Sequence, residues 1–147
     1  MEPPPTKPSP TTISPATAWR AEADAGEIFR RLSERFPHQA VFGECLQEHS
    51  EREVVLARWL HQQGINRDQA AADGPFANFP GVALEGSVDR ALAKLAECEE
   101  RLLDQYRGFP HAADAAKDGL AGEEFLASQR RTIKAIAIRI RNSLLIR

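Results

Sequence analysis

Residues 87–108 read SVDRALAKLAECEERLLDQYRG, and their spacing decides the fold class. Val88, Leu92, Leu95, Leu102 and Tyr106 recur in steps of three and four or their sums, with Glu99 in the same stripe. That period describes one face of an α-helix. Ser87 can accept from a free amide of the first turn, Gly108 suits the stop, and Pro110 lies just beyond it. The positions between are largely charged, as on the solvent side of a packed helix.

Three more helices flank this one. The first opens at Ser14-Pro15, where Ser can cap and Pro suits the first helical position. Its stripe is Trp19, Ala25, Phe29, Leu32 and Phe36, and Pro37 ends it. The second is expected from Pro37 to about Gln63, with Phe42, Leu46, His49, Glu53, Leu56 and Leu60 on one face. Val41, Cys45, Val55 and Trp59 widen that face, and Gly64 is the stop. The fourth is expected from about Gly122 to Leu145, with Phe125, Gln129, Ile133, Ile136, Ile140 and Leu144 inward. Residues 65–86 hold Gly74-Pro75, Pro80, Gly81 and Gly86, which break regular structure. They read as a long connection along the bundle, and residues 109–121 as a loop. The spacing therefore predicts an all-α, antiparallel four-helix bundle with a long crossover between helices 2 and 3. Few β-branched residues outside the C-terminal segment argue against a sheet.

Six of the ten prolines fall in residues 1–15, among Ser and Thr. The composition predicts a disordered tail over 1–15 and one bundle domain over 16–147. Pro5 and Pro8 have the spacing of a polyproline ligand. The net charge of −2 gives no whole-molecule attraction to nucleic acid or anionic membrane. Cys45 and Cys98 form no CxxC pair, the start lacks a signal-peptide pattern, and no apolar run approaches the ~20 residues of a membrane span. A cytoplasmic protein with reduced thiols is expected.

Each apolar stripe contains polar residues: Glu22 in the first helix, His49 and Glu53 in the second, Glu99 in the third and Gln129 in the fourth. If the connection crosses over, helices 2 and 3 run parallel and all five can meet in one mid-bundle layer. Carboxylates and imidazole converging from facing helices are how bundles hold divalent metals. Glu22, His49, Glu53 and Glu99 are thus the candidate metal site, with iron the leading ion. Leu46 stands three residues before His49, and the fourth helix offers Gln129 and Thr132. Neither matches the Glu-x-x-His pattern of paired-iron sites, which points away from a di-iron oxidase. The alternative is a set of hydrogen-bonded core residues that fix helix register. Cys45 and His49 have the spacing of a thiol and its base, although a mid-helix cysteine is ordinarily a small core residue. No complete catalytic motif is present, so no catalytic residue is named and no enzyme is expected.

Residues 125–147 hold six basic side chains and no acid. Arg130, Arg131, Lys134 and Arg141 either pair with Glu97, Glu100 and Asp104 of the third helix or receive an acidic partner. No aromatic residue interleaves with them for base stacking, which weakens a nucleic-acid reading.

The segment Leu95-Ala96-Glu97-Cys98-Glu99-Glu100-Arg101-Leu102-Leu103-Asp104-Gln105-Tyr106 resembles the third helix of small bacterial ferritin-like proteins grouped as domain of unknown function 2383. Gln47-Glu48-His49-Ser50-Glu51-Arg52 and the ending His61-Gln62-Gln63-Gly64 are similar to the helix before that family's crossover. The likeness covers roughly residues 20–145. It implies a ferritin-like fold, oligomers, relatives in stress response or metal handling, and ligands matched here by Glu22, His49, Glu53 and Glu99. Leu46, Gln129, Thr132 and the proline-rich start depart from the pattern. Three functions remain open: a bundle acting through self-association or a protein partner, with Trp19, Trp59 or the basic helix as docking points; a degenerate metal binder; and an adaptor for anionic surfaces using the fourth helix.

Overall fold

The computed structural model describes residues 14–65, 77–107 and 119–145. The tail over residues 1–13, the Gly74-Pro75 turn, the Gly108 stop and most of the 109–121 loop lie outside the described residues. Four helices make up the fold: α1 (Pro15–Arg35), α2 (Ala40–Gln62), α3 (Val88–Tyr106) and α4 (Gly119–Leu145). No strand occurs among the described residues.

The helix starts follow from capping chemistry. Ser14 accepts from the Thr17 amide with Pro15 in the first turn, and Ser87 accepts from the Arg90 amide. Two starts differ from expectation. α2 begins at Ala40 rather than Pro37, because residues 37 and 38 form a turn. The Gln39 amide donates to the Phe36 carbonyl at 3.0 Å, which reverses the chain between two antiparallel helices. α4 begins at Gly119, three residues before the expected Gly122.

Cross-helix partners fix the topology. Glu22 reaches His49 and Arg52, whereas Phe29 and Phe36 reach Phe42, so α1 and α2 are antiparallel. Arg52 meets Ser128 and Gln39 meets Arg139, so α2 and α4 are antiparallel. Glu99 meets Gln129 and Tyr106 meets Phe125, so α3 and α4 are antiparallel as well. α2 and α3 therefore run parallel, and the connection between them must travel the length of the bundle. Its described part, residues 77–86, drops Phe79 into the core.

The buried faces are rotated from the expected stripes in two helices. In α2 the buried set is Val41, Phe42, Cys45, His49, Arg52, Leu56 and Leu60. Glu53 and Leu46 are half-buried and Val55 is exposed. In α4 Ser128 and Thr132 are buried, Ile133 and Ile140 half-buried, and Leu144 exposed. Each rotation has one cause: the Arg52 guanidinium turns inward and meets the hydroxyls of Ser128 and Thr132. Among the described residues, no helix is long and apolar enough to cross a membrane.

Candidate functional site

The centre of the bundle is a buried polar cluster to which all four helices contribute, with its ions on α1, α2 and α3. His49 stands in the middle. Its Nδ1 lies 2.6 Å from Glu22 Oε2 of α1, and its Nε2 lies 2.5 Å from Glu99 Oε1 of α3. All three side chains are fully buried. A carboxylate at each ring nitrogen requires both nitrogens to donate, which is the imidazolium form. Burial alone would lower the His49 pKa, but the Glu99 and Glu22 carboxylates outweigh it and raise the value to about 9.

Arg52, one helical turn after His49, supplies the second cation. Its Nε donates to both Glu22 oxygens at 3.0 Å. Its Nη1 donates to Ser128 Oγ at 2.6 Å, and Thr132 Oγ1 lies at 3.3 Å. Its Nη2 lies against the His49 ring, 2.9 Å from Nδ1. Tyr106 completes the Glu22 shell by donating its hydroxyl to Oε1 at 2.8 Å. Burial opposes the ionised form of Glu22, yet His49 and Arg52 bring its pKa below the ordinary carboxylate value. Gln129 donates to Glu99 Oε2 at 2.6 Å and to the Glu99 carbonyl at 3.0 Å. Two buried carboxylates thus face two buried cations, and the layer is electroneutral within itself. Charge-assisted bonds of this kind are the strong ones in a low-dielectric interior.

Aromatic rings enclose the layer. Phe29 stacks on His49 with centroids 5.1 Å apart at 24°, and Phe79 meets the ring edge-on at 6.1 Å and 80°. The crossover thus closes one side of the site. On the other side a chain of contacts leads outward between α2 and α4. Ser128 donates to Glu48 Oε2 at 2.5 Å, and Arg131 grips Glu48 at the surface. A hollow of about 120 Å³ lies there, lined by Glu51, Arg52, Val55, Glu124, Phe125, Ser128 and Arg131.

Of the four candidate metal ligands, Glu22, His49 and Glu99 come together. Glu53 does not: it is half-buried toward α1, where a Cβ on Gly26 would lie 4.0 Å from Glu53 Oε2. The three that meet are spread around the imidazole, with Glu22 at one nitrogen and Glu99 at the other. The two nitrogens point apart, so an ion beside His49 could reach only one of the carboxylates. Among the described residues, no group of three or more His, Cys, Asp or Glu side chains is arranged to hold a metal ion. Gln129 joins the layer as expected from its register. Arg52 was hidden to sequence reading because an arginine on a helix is ordinarily solvated. Its signal is the i+3 spacing to His49, matched across the bundle by Ser128 and Thr132 at i and i+4.

The Cys45 thiol makes no pair with His49. It lies 4.0 Å from the Thr132 carbonyl, and burial pushes its pKa up. That is the environment of an inert core thiol. The basic set on α4 is also placed differently from expectation. Arg131 pairs with Glu48 of α2 and with Glu124, not with α3. In α3, Glu97 pairs with Lys94 and Asp104 with Arg107. Arg130, Lys134 and Arg141 are exposed. Trp19 and Trp59 are half-buried and pack against the core.

No family model matches the chain, and neither a curated protein nor a solved structure is significantly similar to it.

Proposed function

We propose that this chain is a ferritin-like bundle that acts through protein interaction, with internal cations in the place where such bundles hold a metal. One observation carries the reading: the Arg52 guanidinium and the His49 imidazolium neutralise Glu22 and Glu99 at the centre. A divalent ion there would have to displace a proton from His49 and meet Arg52 at close range. Both cost free energy in a buried site. The crossover topology and the resemblance of α3 to the domain of unknown function 2383 proteins support the ferritin-like part. Cytoplasmic residence, a role in stress and a bacterial origin belong to the same reading. The engagement of both His49 nitrogens and the buried state of Cys45 support a non-enzymatic protein.

The test is metal analysis of untagged protein after exposure to iron, manganese and zinc. Bound metal far below one ion per chain is the expected result. Stoichiometric metal that Glu22→Gln and Glu99→Gln both abolish would overturn the proposal in favour of the degenerate metal binder.

A further inference from the structure

The outward ridge of α4 differs from an ordinary solvated helix face. Arg130, Lys134, Ile138, Arg141 and Leu145 follow one another at steps of 4, 4, 3 and 4 residues. At about 100° and 1.5 Å per residue they fall within about 40° of one line and span about 22 Å of the helix. All five are exposed. The line runs on the side of α4 opposite the buried Gln129, Thr132 and Ile136. Leu144 lies beside its end, and Leu144 and Leu145 are 64% and 75% exposed.

The ridge is basic and carries no acid. From Phe125 to Leu145, α4 holds no Asp or Glu. Arg131, on the α2 side of the ridge, is held by Glu48 and Glu124. Arg130, Lys134 and Arg141 form no ion pair among the described residues. α4 packs against α2 and α3, so it stands at the corner of the bundle diagonal to α1, with the ridge as the corner's edge. The exposed carboxylates Glu44 and Glu51 belong to α2, one interaxial distance of about 8–10 Å to the side. That is about one Debye length at physiological ionic strength. A plane laid against the corner touches α4 before it reaches them.

We propose that this ridge binds an anionic lipid surface, with α4 lying along the surface rather than crossing it. Arg130, Lys134 and Arg141 meet the phosphate and carboxylate headgroups, and their long stems keep the charges there while the backbone settles lower. Ile138, Leu144 and Leu145 enter the acyl boundary between them, the pairing of basic and aliphatic residues that interfacial helices use. The shape favours lipid over an acidic protein. A convex ridge one helix wide offers no pocket and falls short of the ~800 Å² of a standard protein interface, whereas a fluid surface conforms to it. The ridge also carries no aromatic residue on which a base could stack. This lipid contact is additional to the protein interaction above and does not involve the central layer.

Co-sedimentation of the full chain with vesicles tests this. The expected result is binding to vesicles of phosphatidylserine in phosphatidylcholine that weakens as salt rises, and none to phosphatidylcholine alone. Lys134→Gln and Arg141→Gln should each weaken binding about fivefold, the equivalent of the ~1 kcal/mol that one cation contributes near an anionic surface. Ile138→Ser and Leu145→Ser should weaken it several-fold while leaving its salt dependence unchanged. All four sites are exposed, so helical circular dichroism should not change. A chain that ignores phosphatidylserine vesicles at low salt overturns the proposal. So does binding that is indifferent to salt, or that these substitutions leave intact. Equal binding to duplex DNA, lost with Lys134→Gln but untouched by Ile138→Ser and Leu145→Ser, also overturns it and assigns the ridge to nucleic acid.

Discussion

Arg52 is the residue on which the interior turns. Glu22 gives up its water because Arg52, His49 and Tyr106 together donate to its two oxygens. Removing the guanidinium leaves Glu22 with fewer donors in the dry layer. It also frees Ser128 and Thr132 of the group their hydroxyls face. Breaking a buried ion pair by deleting one partner costs about 3–5 kcal/mol. Arg52→Ala is therefore expected to lower unfolding stability by about that amount in a urea titration. A loss below about 1 kcal/mol, the range of an exposed pair, would mean that the guanidinium does not lie where it is placed here. Replacing Arg52 and Glu22 together by apolar residues should recover part of the loss, because the uncompensated charge goes with them.

At the scale of elements, most of the bundle is legible in the residues, and the reason is local. Ser14-Pro15 and Ser87 fix two helix starts within a few bonds, and Gly and Pro punctuate the ends. The α3 stripe from Leu92 to Tyr106 survives unchanged, with Glu99 inside it. Where reading fails, the deciding contact comes from another helix. The 3-4-3 series of Leu46, His49, Glu53 and Leu56 is as regular as the true 4-3-4 series of Cys45, His49, Arg52 and Leu56. Only the hydroxyls on α4 and the carboxylate on α1 choose between them. Ile133, Ile140 and Leu144 misled for the same reason, since apolar residues outnumber the inward positions of α4. The crossover carries its own constraint at Gly81, whose φ of +77° lies in the left-handed region. A Cβ there would also stand 2.9 Å from Lys94 Cε. Gly81→Ala is expected to cost about 1–2 kcal/mol from the backbone alone, because the flexible lysine can move aside. Denaturant unfolding measures it, and an unchanged midpoint would show that the turn relaxes freely.

For the whole molecule, the ion cluster dictates how stability varies with pH. His49 is faced by Glu22 from α1, Arg52 from α2 and Glu99 from α3, while α4 contributes the uncharged Gln129 to Glu99 and the uncharged Thr132 to Arg52. Its pKa rises from 6.5 to about 9 on folding. A raised pKa means that the folded chain holds a proton the unfolded chain releases. The stabilisation is therefore complete below pH 6.5 and fades as pH climbs toward 9. The slope approaches 1.4 kcal/mol per pH unit, and the full loss is about 3 kcal/mol. Glu22 acts in the opposite sense. Its lowered pKa keeps its contribution present above pH 4.5 and removes it as acid protonates the folded carboxylate. The Cys45 and Cys98 thiols, whose pKa values burial raises from 9.0, add a further loss only above pH 9. The window between 6.5 and 9 thus belongs chiefly to His49. Urea titrations across it should trace a steady decline in the parent chain. His49→Gln, whatever its absolute stability, should flatten that decline, and a variant that kept the same slope would place the titrating group elsewhere.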